Sequence, residues 1–186
     1  DPSALLRSRA VRSLKGIPGT EASLSPLLED PVRLVRMDAA WALCRVRAGE
    51  GEPFRAAMGE FAQAARYNAD HPAGRLQLAL LEEARSNAQG AEREYRAALE
   101  LDPGALPARC NLAILLSTLG RREEAVRLLE EGVRLTPGEG VLHFNLGLAY
   151  SDQGRREDAL SSLKEAVRLD PTNARATGIL RTLETE

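Results

Sequence analysis

The chain has 186 residues, 44% of them hydrophobic and only 4% aromatic, which is enough apolar material for one or two folded domains with a real core. Its 25 lysines and arginines balance 27 aspartates and glutamates, a formal charge of -2, so it carries no electrostatic footprint for a polyanion and nucleic acid is not expected as a partner. Unbroken apolar runs such as residues 112–116 are far short of the roughly 20 residues that cross a bilayer, and the two cysteines, Cys44 and Cys110, have no thiol or histidine at ligand spacing.

At the N-terminus, DPSALLRSRAVRSL from Asp1 lies on DPVRLVRMDAAWAL from Asp30, an offset of 29. In each copy an aspartate stands where it caps a helix and a proline takes the first turn. Leu5/Leu34, Leu6/Val35, Ala10/Ala39 and Leu14/Leu43 supply the apolar stripe, and Arg7 corresponds to Arg36. Residues 1–47 resemble short HEAT-type repeats, and the resemblance implies that the aspartate and arginine brace one repeat against the next. The chain opens on Asp1 with no methionine and no charged-then-apolar leader, so we expect a processing point or edge inside a longer protein.

A junction unit follows over residues 38–71. Its first helix, expected over 31–47, carries Trp41 at the fourth position of the 34-residue frame, and Ala57, Phe61 and Ala64 give the second, after Pro53, a small, large, small order. Arg45 stands where a small residue is wanted, residues 49–53 lengthen the turn, and residues 68–71 lack a closing Asp-Pro, so looser pairing is expected there.

From residue 72 a second period takes over. Asp102-Pro103, Thr136-Pro137 and Asp170-Pro171 recur every 34 residues and stop each unit, because proline lacks the helix N–H and pushes its predecessor out of the helical region. Counted in units 72–105, 106–139 and 140–171, Leu78, Leu112 and Leu146 precede Ala79, Ala113 and Gly147. Further small residues recur as Ala91, Ala125, Ala159 and as Ala98, Gly132, Ala166, with Tyr95, Leu129 and Leu163 between them. Helices approach closely only where one presents a small side chain, so the alternation encodes helical hairpins. With Gly120 and Gly154 at its turns, this pattern resembles the tetratricopeptide repeat over residues 72–171. The fold it implies is all-α, a right-handed α-solenoid of antiparallel helix pairs, HEAT-like then tetratricopeptide, with residues 172–186 as a C-terminal capping helix over about 173–185. Leu180 keeps the packing position of that helix, but Arg181 follows it where a close neighbour would need a small residue.

On the outer helices, Glu123 with Arg127 and Glu130 with Arg134 are spaced as favourable i,i+4 pairs on a solvated face. Arg121-Arg122 and Arg155-Arg156, beside acidic neighbours, read as solvated turns.

The first helix of each pair lines the inner side in this family, so binding is sought there. Leu76, Leu80, Cys110, Ile114, Phe144 and Leu148 are apolar on a face other than the packing stripe, with Asn111 and Asn145 beside them and Glu83, Ser117, Ser151 and Asp152 toward the far end. Either this is a groove for an apolar helical or extended segment, the two asparagines bonding its backbone as in peptide-binding relatives, or it is core. The basic clamp some relatives use for an acidic C-terminus is missing, since Leu76, Leu80 and Val141 occupy its places. His71 and His143 have no third ligand nearby and read as structural, and no nucleophile elbow, P-loop or metal motif occurs, so neither catalysis nor a cofactor is expected.

The order of repeats, with EFAQAARYNADHPAGR at the junction, also looks like the C-terminal region of certain bacterial multihaem c-type cytochromes. That resemblance implies an accessory or docking role beside an extracytoplasmic, periplasmic redox protein, although this chain has no Cys-x-x-Cys-His of its own. Without it a cytoplasmic setting is expected. A protein-interaction scaffold, a redox docking domain and a self-assembly module are the three readings left open. For stability, Ala125→Leu is expected to cost about 1–3 kcal/mol by overpacking and Glu130→Ala little, as thermal melts of the two variants will show.

Overall fold

The computed structural model describes residues 2–14, 17–45 and 49–185. No strand occurs among them, in agreement with the all-α expectation. The chain forms two compact units, Asp1–Asn87 and Ala88–Glu186, a division that falls inside the segment 72–105.

The first unit contains α1 (Pro2–Ser13), α2 (Glu21–Leu24) continuing into a 3-10 turn (Ser25–Glu29), α3 (Arg33–Arg45), α4 (Gly51–Tyr67) and α5 (Pro72–Ala84). α1 turns Ala4, Ser8 and Val11 inward at i, i+4 and i+7, and Val11 joins Leu24, Leu28, Ala39 and Leu43 in one core. Asp30 and Pro31 stand ahead of α3 and not, as expected, at its cap and first turn: Asp30 accepts the Val32 N–H at 2.9 Å in a turn before the helix, while the Arg7 guanidinium donates to its two oxygens at 2.8 and 3.2 Å. Those bonds, the Arg7 one foremost, hold the Asp30 carboxyl below the usual carboxylate range. Arg36 grips Glu60 at 2.6 and 3.1 Å and donates to the Asp30 carbonyl at 2.8 Å. The arginines of the 29-residue period thus each seize an acid of a following element. The expected Asp1 cap, the Arg45 side chain and residues 46–47 of the expected helix lie outside the described residues.

The junction departs from expectation in register. α4 starts at Gly51, ahead of Pro53, which sits in the first turn where a missing N–H costs nothing. Its fully buried alanines are Ala57, Ala62 and Ala65, so Ala65 takes the part assigned to Ala64, which is half-buried. Trp41 and Phe61 stack with centroids 5.0 Å apart and planes 4° off parallel, and two rings fill the space where later hairpins set large against small.

The second unit contains α6 (Ala88–Leu101), α7 (Leu106–Thr118), α8 (Arg122–Leu135), α9 (Gly140–Asp152), α10 (Arg156–Leu169) and α11 (Ala174–Thr185). Ala91, Ala125, Ala159, Ala98, Gly132 and Ala166 are all buried, as are Tyr95, Leu129 and Leu163. At Gly147 a Cβ would stand 2.7 Å from Leu163 Cγ and 3.3 Å from the Ala159 carbonyl oxygen, so α9 and α10 meet closely there. Gly132 serves a different neighbour from the helix expected there, since a Cβ would meet the Arg109 Cδ at 2.5 Å. Arg109 is buried, crosses that glycine and donates to the Leu128 carbonyl at 2.9 Å, the Pro103 carbonyl at 2.8 Å and Glu131 at 3.3 Å. Thirty-four positions on, the His143 Nε2–H donates to the Pro137 carbonyl at 3.0 Å, repeating the tie to Pro103 with a ring. The capping helix α11 is itself capped, Asn173 Oδ1 accepting the Ala176 N–H at 3.0 Å, and Arg181 is exposed as its position predicts.

Two surface readings need correction. Arg121 does more than solvate a turn, because it pairs with Glu124 at 2.6 Å and reaches Glu92 of α6 at 2.6 Å, while Arg96 contacts both glutamates. These arginine bonds hold the Glu92 and Glu124 carboxyls below their ordinary value. Glu130, expected on a solvated face, accepts the Tyr150 hydroxyl at 2.7 Å, and the Arg155 guanidinium lies 4.2 Å from the centre of the Tyr150 ring. Burial, followed by the Glu130 bond, pushes the Tyr150 phenol up to about 12.

The turns after α7 and α9 close through left-handed glycines, Gly120 at φ +79° and Gly154 at φ +72°, with the Arg121 N–H on the Leu116 carbonyl and the Arg155 N–H on the Tyr150 carbonyl, both at 2.9 Å. The turn after α5 has the same form, the Asn87 N–H reaching the Glu82 carbonyl at 2.8 Å, but its left-handed residue is Ser86 at φ +59°. Ser86→Gly removes about 1–2 kcal/mol of left-handed strain against about 0.4–1 kcal/mol of added freedom in the unfolded chain, so its melting temperature is expected to rise by about 1–4 °C, whereas Gly120→Ala lowers it. For Tyr150, a folded-state value above the unfolded one means stability present at neutral pH and lost as pH climbs from about 10 through about 12. Denaturant titrations should show that alkaline loss flattened in Tyr150→Phe, and the Tyr150 bond raises the cost of Glu130→Ala from the little expected on a solvated face to about 1 kcal/mol at pH 7.

Candidate peptide-binding cleft

Within the second unit, α7 and α9 stand side by side over α8, and between them lies a cleft of about 190 Å³. Its floor is Ala113, Leu129 and Ala149, and its walls are Ile114 and Leu148. Ile114 is 54% exposed although it sits in the middle of a helix. Ser117, Thr118, Asn145 and Asp152 supply the polar rim. The pairs Ile114/Leu148 and Thr118/Asp152 are each 34 residues apart, so the cleft is bounded by the same face of two successive repeats. Small residues beneath make the space: Ala113 and Ala149 leave Leu129 visible from the cleft.

The polar groups are unequally committed. The Asn145 Nδ2 donates to the Val141 carbonyl at 2.7 Å and lies 3.6 Å from Cys110 Sγ, which leaves its Oδ1 to accept. Among the described residues, Asn111, Ser117 and Asp152 make no side-chain hydrogen bond or ion pair. The lining holds one carboxylate, Asp152, and neither lysine nor arginine. It is an apolar slot with an acidic end.

The structure brings Ile114, Asn145 and Leu148 together at this cleft, with Asn111 one turn before Ile114 on α7. Two other expected groove residues of this unit, Cys110 and Phe144, are packed away instead. Cys110 is buried, and burial pushes its thiol up to about 11, so it is a protonated, inert filler at neutral pH. Phe144 is buried against Leu163, Ala166 and Ala176, with the Arg175 guanidinium 5.5 Å from its ring centre. α11 covers the place where sequence reasoning put open wall. Leu76 and Leu80 belong to the first unit, both half-buried, and Leu80 packs against the Trp41, Ala62, Ala65 and Leu81 cluster. Leu129 was read only as packing; its second role follows from the small side chains at Ala113 and Ala149. His71 is the residue before α5, and among the described residues no three His, Cys, Asp or Glu side chains gather as a metal site. No helix of the described residues is long and apolar enough to cross a membrane.

Two tetratricopeptide repeat family models match the chain, over residues 83–146 and 141–173. Among solved structures, MamA from Desulfovibrio magneticus RS-1 is 20% identical, with 78% of this chain and 80% of that chain covered at a TM-score of 0.58. The first tetratricopeptide domain of human RPAP3 is 18% identical, covering 63% of this chain and 92% of that one at 0.57. The first such domain of Spaghetti (RPAP3), bound to the HSP90 peptide SRMEEVD, is 17% identical, covering 68% and 94% at 0.53. At these identities the likeness is one of fold. No curated protein sequence matches the chain. The small-residue register and the left-handed turns fall within residues 83–173, the stretch that the two tetratricopeptide repeat models match.

Proposed function

We propose that the chain is a protein-interaction scaffold which binds a helical or extended segment in the cleft between α7 and α9, and that it acts by binding and not by catalysis. Tetratricopeptide proteins are interaction scaffolds, peptide-binding domains among them. The observation that carries the reading for this chain is Ile114, an exposed aliphatic side chain on the wall of an apolar slot whose rim holds uncommitted polar groups. The ligand that fits is an aliphatic segment. Asn111 and the Asn145 Oδ1 face its backbone groups, and Asp152 favours a lysine or arginine at one end. An acidic C-terminal tail would bring its carboxylates to Asp152 with no cation in the lining to receive them.

The HEAT-like reading of residues 1–47 is part of the same proposal. Arg7 on Asp30 and Arg36 on Glu60 support it, since in both copies the arginine holds an acid further along the chain.

A peptide array of aliphatic segments with basic or acidic flanks, with SRMEEVD as the acidic reference, tests the function. Aliphatic-basic peptides are expected to bind and SRMEEVD not. Ile114→Glu should weaken the best binder at least tenfold with an unchanged circular dichroism melt, and Asp152→Lys should shift preference toward acidic flanks. Binding untouched by Ile114→Glu, or SRMEEVD held as tightly as the best aliphatic peptide, would overturn the reading.

A further inference from the structure

α1 and α3 align at an offset of 29 residues, yet one face has opposite fates in the two helices. On α3, Val35, Ala39 and Ala42 are buried, Val35 to 0% exposure. Their counterparts on α1, Leu6, Ala10 and Ser13, are exposed, Leu6 to 66%, and the neighbouring Leu5 is exposed as well. What covers α3 is α1 itself: Val11 enters the core beside Ala39, the Ser8 hydroxyl donates to Asp38 at 2.5 Å, and the Arg12 Nε donates to the same carboxylate at 3.0 Å. The structure therefore contains a worked example of how this face is covered.

The example also says what chemistry the cover needs. The counterpart of Asp38 on α1 is Arg9, which is exposed and has no hydrogen-bond or ion-pair partner among the described residues. The charge on the face is thus reversed between the two helices. We infer that the outward face of α1 is a docking surface for an amphipathic helix of a partner protein, one presenting small aliphatic side chains at i, i+4 and i+7 and a carboxylate beside the last of them, set against Arg9. A second copy docking as α1 docks on α3 would bring its own Arg12 onto Arg9, like charge against like, at the centre of the contact. The exposed residues of α11, which include Arg175, Gly178, Arg181 and Thr182, offer no aliphatic stripe for this face.

A helix-constrained peptide of residues 2–14, made with its native sequence and with Arg12→Glu, is the probe, and fluorescence anisotropy against the whole chain is the readout. The Arg12→Glu peptide is expected to bind at least tenfold more tightly than the native one, and Arg9→Glu in the chain to invert that order. Leu6→Glu in the chain should weaken the Arg12→Glu peptide at least tenfold while leaving the thermal melt unchanged, because Leu6 touches solvent. Absent binding, equal binding of both peptides, or a preference that Arg9→Glu fails to invert overturns the proposal. So does a concentration-dependent dimer in sedimentation that Leu6→Glu abolishes, which would give the face to a second copy.

Discussion

Everything in the second unit depends on how near two helices can come when one of them gives up its side chain. At Gly147 the distance from a notional Cβ to Leu163 is below any contact real side chains make, so α9 and α10 hold their spacing only because that position is empty. The same device, with alanine in place of glycine, sets Ala125 and Ala159 into their neighbours. The cleft between α7 and α9 is a by-product. Because Ala113 and Ala149 are small, Leu129 is both core and floor, and the walls fall to the residues one helical step away from the packing stripe.

The fold was legible wherever a residue's packing duty was steric. The 34-residue recurrence of Leu112 with Ala113, or of Leu146 with Gly147, can satisfy one arrangement of helices and no strand. Turn chemistry was half legible. Gly120 and Gly154 announce left-handed closures by their identity, but Ser86 makes the same closure and carries no such mark, since only the backbone reveals its φ. Register was less secure at the junction, where the stacked rings of Trp41 and Phe61 take over from small residues and Ala65, not Ala64, goes to the centre.

The site was read less completely, for a physical reason. Periodicity says that Cys110, Ile114, Phe144 and Leu148 share a helix face, but it does not say which of them a later helix will cover. α11 covers Phe144, the helix's own neighbours bury Cys110, and only Ile114 and Leu148 remain to form the slot. Polar side chains were harder still. Glu130 looked like half of a surface pair and instead receives the Tyr150 hydroxyl, and Arg109, which no repeat position marks, lies buried across Gly132. Long side chains choose partners across helices, which spacing within one helix does not encode.

Arg109 has a mechanical consequence. Its guanidinium is fastened at once to the Pro103 carbonyl in the loop ahead of α7 and to the Leu128 carbonyl in the middle of α8, so one side chain rivets a connector to the helix beyond it. Sliding α7 along α8 would strip two carbonyls and a buried cation of their partners together, which makes this pair a rigid plank and leaves adjustment to the contacts between planks.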